Sequence, residues 1–342
     1  MRVSINGHYL QRKMSGLARY AHQIQTALLA DGHELVYVQP PSWFYRDGST
    51  PRRILRFAAL ALYELLLPTW ILLLGRTDCH ISPAFAAPIG LFSKRYMVVV
   101  HDLAFVDYPQ MYSRLERLYM QLNLRLLQLG RHRIVVPSEF VRSELVRIYK
   151  ISPRRIHIIS PYSQFTPREP QLRKEGKYFL LLSNAHPRKN LEATIKGFLA
   201  SKACSGGYRL MVVGNFEGEV HADARQVQVF RGVSDKQLEQ LIVDAPALVL
   251  FSVSEGFGFP VVEAASLGVV SLTSGVSSLA ELSPPGTPRF AATTPEEITA
   301  TFDRFLTDAE FRVKLEIDRQ YVTTTFNRRS FDQHWRELIR GE

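Results

Sequence analysis

Short apolar runs recur along the chain, and most hand over to a longer stretch of helical periodicity. Val3-Ser4-Ile5-Asn6-Gly7, Tyr96-Met97-Val98-Val99-Val100, Arg133-Ile134-Val135-Val136, Tyr178-Phe179-Leu180-Leu181-Leu182-Ser183 and Ala247-Leu248-Val249-Leu250-Phe251 read as buried strands. Helices are predicted from Ser15-Gly16 through Leu29, with Ser15 as a cap, from Phe140 to Tyr149 behind Ser138, from Leu191 to Leu199, and from Pro260 onward. Strands without a polar face, alternating with helices, predict parallel sheets covered on both sides. A chain of 342 residues with 46% apolar content has room for two such α/β units. The stretch from Ser160 to Gly176, rich in proline and charge and without periodicity, is the expected boundary, which places the domains at 1–165 and 176–327.

The densest chemistry lies in Ser254-Glu255-Gly256-Phe257-Gly258-Phe259-Pro260-Val261-Val262-Glu263, at a strand-to-helix crossing. Unpaired amides and the positive end of a helix attract phosphate, and glycine lets a ligand approach the backbone. A carboxylate accepts two hydrogen bonds at once, so Glu255 and Glu263 each suit a vicinal diol. The plain alternative is a tight turn with Glu255 in solvent and Glu263 favoured by the helix dipole. A second crossing, Asn184-Ala185-His186-Pro187-Arg188-Lys189-Asn190, puts two cations ahead of a helix, where they either neutralise a diphosphate or merely decorate a loop. In the first half, Gly16 and Arg19 stand at a helix start, and His101-Asp102-Leu103 emerges from the carboxyl end of a strand, where open α/β sheets bind ligands. Ser138 serves equally well as a ligand contact or as a helix cap.

These residues resemble the retaining glycosyltransferases of family 4. That family carries an E-x7-E motif of the form E-G-F-G-x-P-x-x-E, a P-x-K-(G/N) segment, an HD segment after a strand and a V-x-S-x-F segment. The resemblance implies a GT-B fold, α/β with two Rossmann-like parallel-sheet domains facing a cleft. It implies an N-terminal acceptor-binding domain at 1–165, joined by the C-terminal helix 328–342, and a nucleotide-sugar-binding domain at 176–327. It places Glu255 on the donor hexose and Glu263 on the ribose, and it runs the backbone of Gly256, Phe257, Gly258 and Phe259 past the sugar and phosphates. Lys189 matches the phosphate-binding lysine and His101 the histidine near the reaction centre, while Gly16 matches a glycine of the donor loop. Many members place a second phosphate-contacting arginine where this chain has Asn184, and Arg188 is the expected substitute. No cofactor or metal is implied beyond a nucleotide-sugar co-substrate. The similarity to bacterial mannosyl- and rhamnosyltransferases of O-antigen or capsule assembly makes GDP-mannose the first donor expected and a lipid-linked glycan the acceptor.

Charge adds a partner. Up to Gly176 the chain holds 24 Lys/Arg against 12 Asp/Glu and beyond it 18 against 20, so the whole excess of +10 belongs to the first half. A basic first domain attracts an anionic membrane surface, and without a helix-turn-helix cue, zinc spacing or aromatic single-strand motif no nucleic acid is expected. Residues 52–76 form an apolar run bracketed by arginines; Glu64 and Pro68 interrupt it, so it is read as a core-packed helix pair or an interfacial helix rather than a span. With Met1 leading straight into a strand and two cysteines in different domains, the expected location is cytoplasmic, peripheral at the inner membrane. A nicotinamide-dependent oxidoreductase lacks support, since no G-x-G-x-x-G follows the first strand. A non-catalytic, membrane-associated nucleotide-sugar-binding protein is the standing alternative.

Overall fold

The computed structural model describes every residue except 8–9, 11–15, 39–62, 65, 67, 70, 74, 88–92, 94, 170–175, 184–185, 215–222, 289–290 and 342. The chain divides into two units, Met1–Pro161 with Arg329–Glu342, and Tyr162–Arg328.

The first unit is built on β1 (Arg2–Asn6), β2 (Glu34–Val38), β3 (Cys79–Ser82), β4 (Tyr96–Val99), β5 (Arg133–Val136) and β6 (Ile156–Ile158). All pairings are parallel, in the order β2-β1-β3-β4-β5-β6. Inner strands β3 and β4 are buried at every position, as expected of a sheet covered on both faces, whereas in the edge strand β2 only Val38 is buried. Helices α1 (Gly16–Ala30), α2 (Arg114–Leu129) and α3 (Glu139–Tyr149) follow strands or loops. Ser113 and Glu116 close a capping box on α2, and Ser138 caps α3 by accepting from the Val141 amide at 3.3 Å. The predicted cap Ser15 lies outside the described residues.

In the second unit β7 (Tyr178–Leu182), β8 (Arg209–Val213), β9 (Val227–Phe230), β10 (Leu248–Leu250) and β11 (Ser271–Thr273) form a parallel sheet in the order β11-β10-β7-β8-β9. Its helices are α4 (Leu191–Ala200), α5 (Asp235–Asp244), α6 (Phe259–Ser266), α7 (Pro295–Thr307) and α8 (Ala309–Thr325). Phe179 anchors one face of the sheet by edge-to-face contact with Phe198, Phe302 and Phe305. Close approach of α7 to α4 requires Gly197, because a Cβ there would stand 2.6 Å from Ile298 Cγ2. Helix α9 (Arg328–Arg340) belongs from Arg329 onward to the first unit, where Phe331, Trp335, Leu338 and Ile339 are buried.

In each sheet the strand order reverses at one point, and ligands of open α/β sheets bind outside the carboxyl ends of the strands there. In the second unit that point lies between β7 and β10, which pair directly through Leu180–Leu248 and Leu181–Val249. The loops leaving those two strands carry Lys189 and Glu255.

Candidate functional site

Among the described residues after β7, Pro187–Lys189 form a tight turn ahead of α4. His186 opens it by accepting the Arg188 amide on Nδ1 at 3.3 Å, and Asn190 closes it in the left-handed conformation at φ 53°. The Asn190 side-chain amide donates to the carbonyl of Phe251 at 3.2 Å, just past β10, and to that of Thr293 at 2.7 Å, just ahead of α7. The Arg188 carbonyl accepts from the Val253 amide at 2.8 Å. Thus the two loops are joined by one backbone bond and by the Asn190 side chain.

Across that seam Lys189 Nζ donates to Glu255 Oε1 at 2.5 Å, with only 15% and 8% of the two side chains exposed. Glu255 is itself held by its main chain: its amide donates to Ser277 Oγ at 3.0 Å, and Ser278 Oγ donates to the Glu255 and Phe257 carbonyls at 2.8 and 3.0 Å. Gly258 caps α6 at φ 118°, a conformation that side chains rarely adopt, and a Cβ there would collide with Leu279 and Leu282 at 2.8 and 2.9 Å. Phe257 is 5% exposed and packs on Phe259 and Phe326, so its side chain is committed to the interior. Glu263 lies within α6 and is 1% exposed. Both glutamates are therefore interior, which disfavours a solvated turn. Asn184 lies outside the described residues.

The first unit carries its own cluster. His101 leaves β4 half-buried, with Nε2 at 2.7 Å from the Pro83 carbonyl. A carbonyl only accepts, so the ring proton sits on Nε2 and Nδ1 is left as an acceptor. Burial pushes this imidazole below its ordinary value, opposed by the Pro83 bond and by Asp102. Asp102 accepts from the Ala104 amide at 3.1 Å and so orders the following turn. Gly16 is the exposed first residue of α1, and Arg19 is half-exposed one turn on. Among described residues 63–73, Glu64 and Leu72 are buried while Leu66 and Leu73 are exposed. Glu64 accepts from Asn6 Nδ2 at 3.0 Å and from the Tyr119 hydroxyl at 2.7 Å.

Helix α2 adds a surface feature. Leu115, Leu118, Leu122 and Leu129 recur at helical spacing and are all exposed, Leu118 by 63% and Leu129 by 74%, and Met111 ahead of the helix is exposed too. Arg114 and Arg125 stand exposed on or beside the same stripe. Among the described residues no helix is long and apolar enough to cross a membrane, and no group of three His, Cys, Asp or Glu is arranged to hold a metal ion.

Lys189 and Glu255 were legible as separate candidates, but their pairing was not. Ser277, Ser278 and Asn190, which build the cradle, carry no local motif that marks them; the left-handed Asn190 ahead of a helix is the one weak signal.

Two all-parallel α/β units, the second with Lys189, Glu255 and a glycine-capped helix start at its sheet switch point, define the class of doubly wound α/β proteins. Residues 14–161 match the family described as Glycosyltransferase Family 4, and residues 163–318 match Glycosyl transferases group 1. The chain belongs to the family 4 glycosyltransferases, with the GT-B fold. It is 28% identical over 245 residues to the O-antigen chain mannosyltransferase B of Escherichia coli, covering 64% of each chain. To the O-antigen chain mannosyltransferase RfbU of Salmonella typhimurium strain LT2 it is 27% identical over 177 residues, 49% of this chain and 48% of the relative. The matched part thus spans less than two thirds of either relative. In structure it is similar to Anabaena HepE, solved in complex with UDP-glucose, with a TM-score of 0.71, 13% identity and full coverage of both chains.

Proposed function

We propose that this chain is a retaining hexosyltransferase that moves mannose from GDP-mannose to a hydroxyl of a lipid-linked glycan in bacterial surface-polysaccharide synthesis. The observation that carries the reading is the buried Lys189–Glu255 pair beside the Gly258-capped start of α6. An ammonium has three donors, so Lys189 can keep Glu255 and still reach a diphosphate oxygen, with Arg188 and the α6 amides adding to the positive field. Glu255 then grips hexose hydroxyls, Glu263 the ribose, and His101 the sugar near its anomeric carbon. The names of the two curated relatives support mannose, and the UDP-glucose complex of HepE supports a nucleotide-sugar donor.

In the step proposed, the bond from the anomeric carbon to the diphosphate oxygen breaks and the diphosphate keeps the electron pair. The acceptor oxygen attacks from the same face, and its proton passes to the departing phosphate oxygen, so configuration is retained. Residues 176–327 bind the donor in this reading and residues 1–165 the acceptor, with helix 328–342 joined to the latter. The leaving charge is met by Lys189 and Arg188, so EDTA is expected to leave the rate unchanged.

The same reading sets the protein at the cytoplasmic face of the inner membrane. The leucine stripe of α2 with Arg114 and Arg125, on the half of the chain that carries +12, suits the interface of an anionic bilayer.

The test is release of nucleoside diphosphate from a panel of GDP-, UDP- and dTDP-sugars in the presence of membrane-derived acceptor. GDP-mannose is expected to turn over, and Glu255→Gln and Lys189→Ala each to lose about 100-fold. Turnover of a UDP- or dTDP-sugar alone would overturn the donor assignment. Tight binding without turnover of any sugar would establish the non-catalytic alternative instead.

A further inference from the structure

His101 is held on one side by the Pro83 carbonyl, and what holds its other side is an aromatic relay confined to the first unit. Tyr20 of α1, fully buried, meets the imidazole edge-to-face, with centroids 5.0 Å apart and planes at 89°. Its hydroxyl donates to the Ile159 carbonyl, just past β6, at 2.7 Å. Behind it stands α9: Phe331 meets the Tyr20 ring edge-to-face at 5.5 Å, and Trp335 packs on Phe331 at 6.3 Å. Both are 1% exposed. Three elements distant in sequence therefore converge on one ring. Such pairs prefer defined angles, so the stack restricts imidazole rotation in a way that aliphatic packing would not.

We propose that Tyr20, backed by Phe331 and Trp335 of the C-terminal helix, is a positioning residue that fixes the plane and tautomer of His101 for sugar transfer. The proposal rests on the assignment of His101 to the donor sugar made above. With Nε2–H committed to Pro83 and the ring plane locked by Tyr20, Nδ1 is aimed in one direction as an acceptor for a hydroxyl. Because Phe331 and Trp335 supply the backing, His101 is set correctly only when α9 is seated in the first unit.

A double-mutant cycle with a spectroscopic readout tests this. Tyr20→Leu is expected to lower kcat about 10-fold or more and leave the KM for nucleotide sugar within about 2-fold, since misplacement costs rate rather than binding. Tyr20→Phe keeps the ring and is expected to stay within about 3-fold of wild type, and Phe331→Leu to fall between. In a His101→Ala background Tyr20→Leu should cost nothing more, because both changes act through one ring. Nitrogen-15 spectra of the His101 ring should show the Nε2–H tautomer alone in the wild type and a mixture in Tyr20→Leu. Additive losses in the cycle, or an unchanged tautomer in Tyr20→Leu, overturn the proposal. If His101→Ala alone keeps the wild-type rate, the donor-sugar assignment of His101 falls, while the tautomer signal still decides whether Tyr20 sets the ring. Should Tyr20→Leu fail to fold, Phe331→Leu carries the same cycle and the same spectra.

Discussion

At the scale of single residues the central fact is a buried ion pair whose two members sit on different loops. Removing one partner of such a pair leaves the other charge desolvated, whereas replacing both with neutral groups of similar size is far less costly. Lys189→Ala is accordingly expected to destabilise the second unit by about 3 kcal/mol in urea unfolding, and Lys189→Met with Glu255→Gln to recover most of it without recovering turnover. Equal stability of the single and double variants would mean that the pair is not buried in solution. Elsewhere His80 shows the opposite logic. Burial pushes its imidazole from 6.5 down to about 3, and Ser4 Oγ lies 3.0 Å from its Nδ1. Below pH 6.5 the unfolded chain binds a proton that the folded chain refuses, so stability present at neutral pH is lost as the pH falls. Between pH 6.5 and 5, where most carboxylates remain ionised, the loss from this ring is expected on the order of 1 kcal/mol per pH unit. His101 and His157, both lowered by burial, act in the same direction. Urea midpoints at pH 7.5 and 5.5 measure the effect, and His80→Asn should reduce it; an undiminished slope in that variant would exclude His80 as a source.

At the scale of elements, the strand-to-helix crossings were the most legible part of the sequence, because their signals are local: an apolar run, a glycine or proline, then helical period. Ser138 illustrates the reach of such reasoning, since cap and ligand contact were equally open and the structure finds the cap bond. Helix α2 illustrates where it stops. Its leucines lie on both faces, Leu124, Leu126 and Leu127 inward and Leu115, Leu118 and Leu122 outward, so periodicity alone does not say which face meets solvent. The outward stripe is expected to bind phosphatidylglycerol-containing vesicles. Leu118→Ser and Leu122→Ser should each weaken sedimentation with those vesicles roughly 10-fold, as burial of one leucine implies, and added salt should weaken the wild type as well. Wild-type protein that ignores anionic vesicles would leave α2 without a role at the bilayer.

On the scale of the molecule, two sheets with separate cores share one chain, and the last helix returns to the unit that contains the first strand. That return is anchored by Phe331, Trp335, Leu338 and Ile339, and at the surface by Arg336 on Asp31 at 2.6 Å, whose carboxyl is held below its usual range by that guanidinium. Each large buried side chain is worth about 2 kcal/mol. A chain ending at residue 327 is therefore expected to lose amide-exchange protection in β1, β3 and α1 while β7 and β10 keep theirs. Equal loss in both sheets would show that the two units do not unfold separately.

By itself the sequence determined the α/β class, the positions of most crossings, and the residue types gathered at them, because hydrophobic period, helix starts and glycine-rich turns are properties of neighbours in the chain. Which residues meet is another matter. Lys189 touches Glu255 only because β7 and β10 lie side by side, and Ser277 and Ser278 grip the Glu255 loop only because the segment after β11 folds back over it. Tyr20 meets His101 and Phe331 because α1, β4 and α9 converge, at sequence separations that no local pattern spans. Strand order is chosen by the crossovers and by how much apolar surface each arrangement buries, a property of the whole chain, and the site inherits its geometry from that choice.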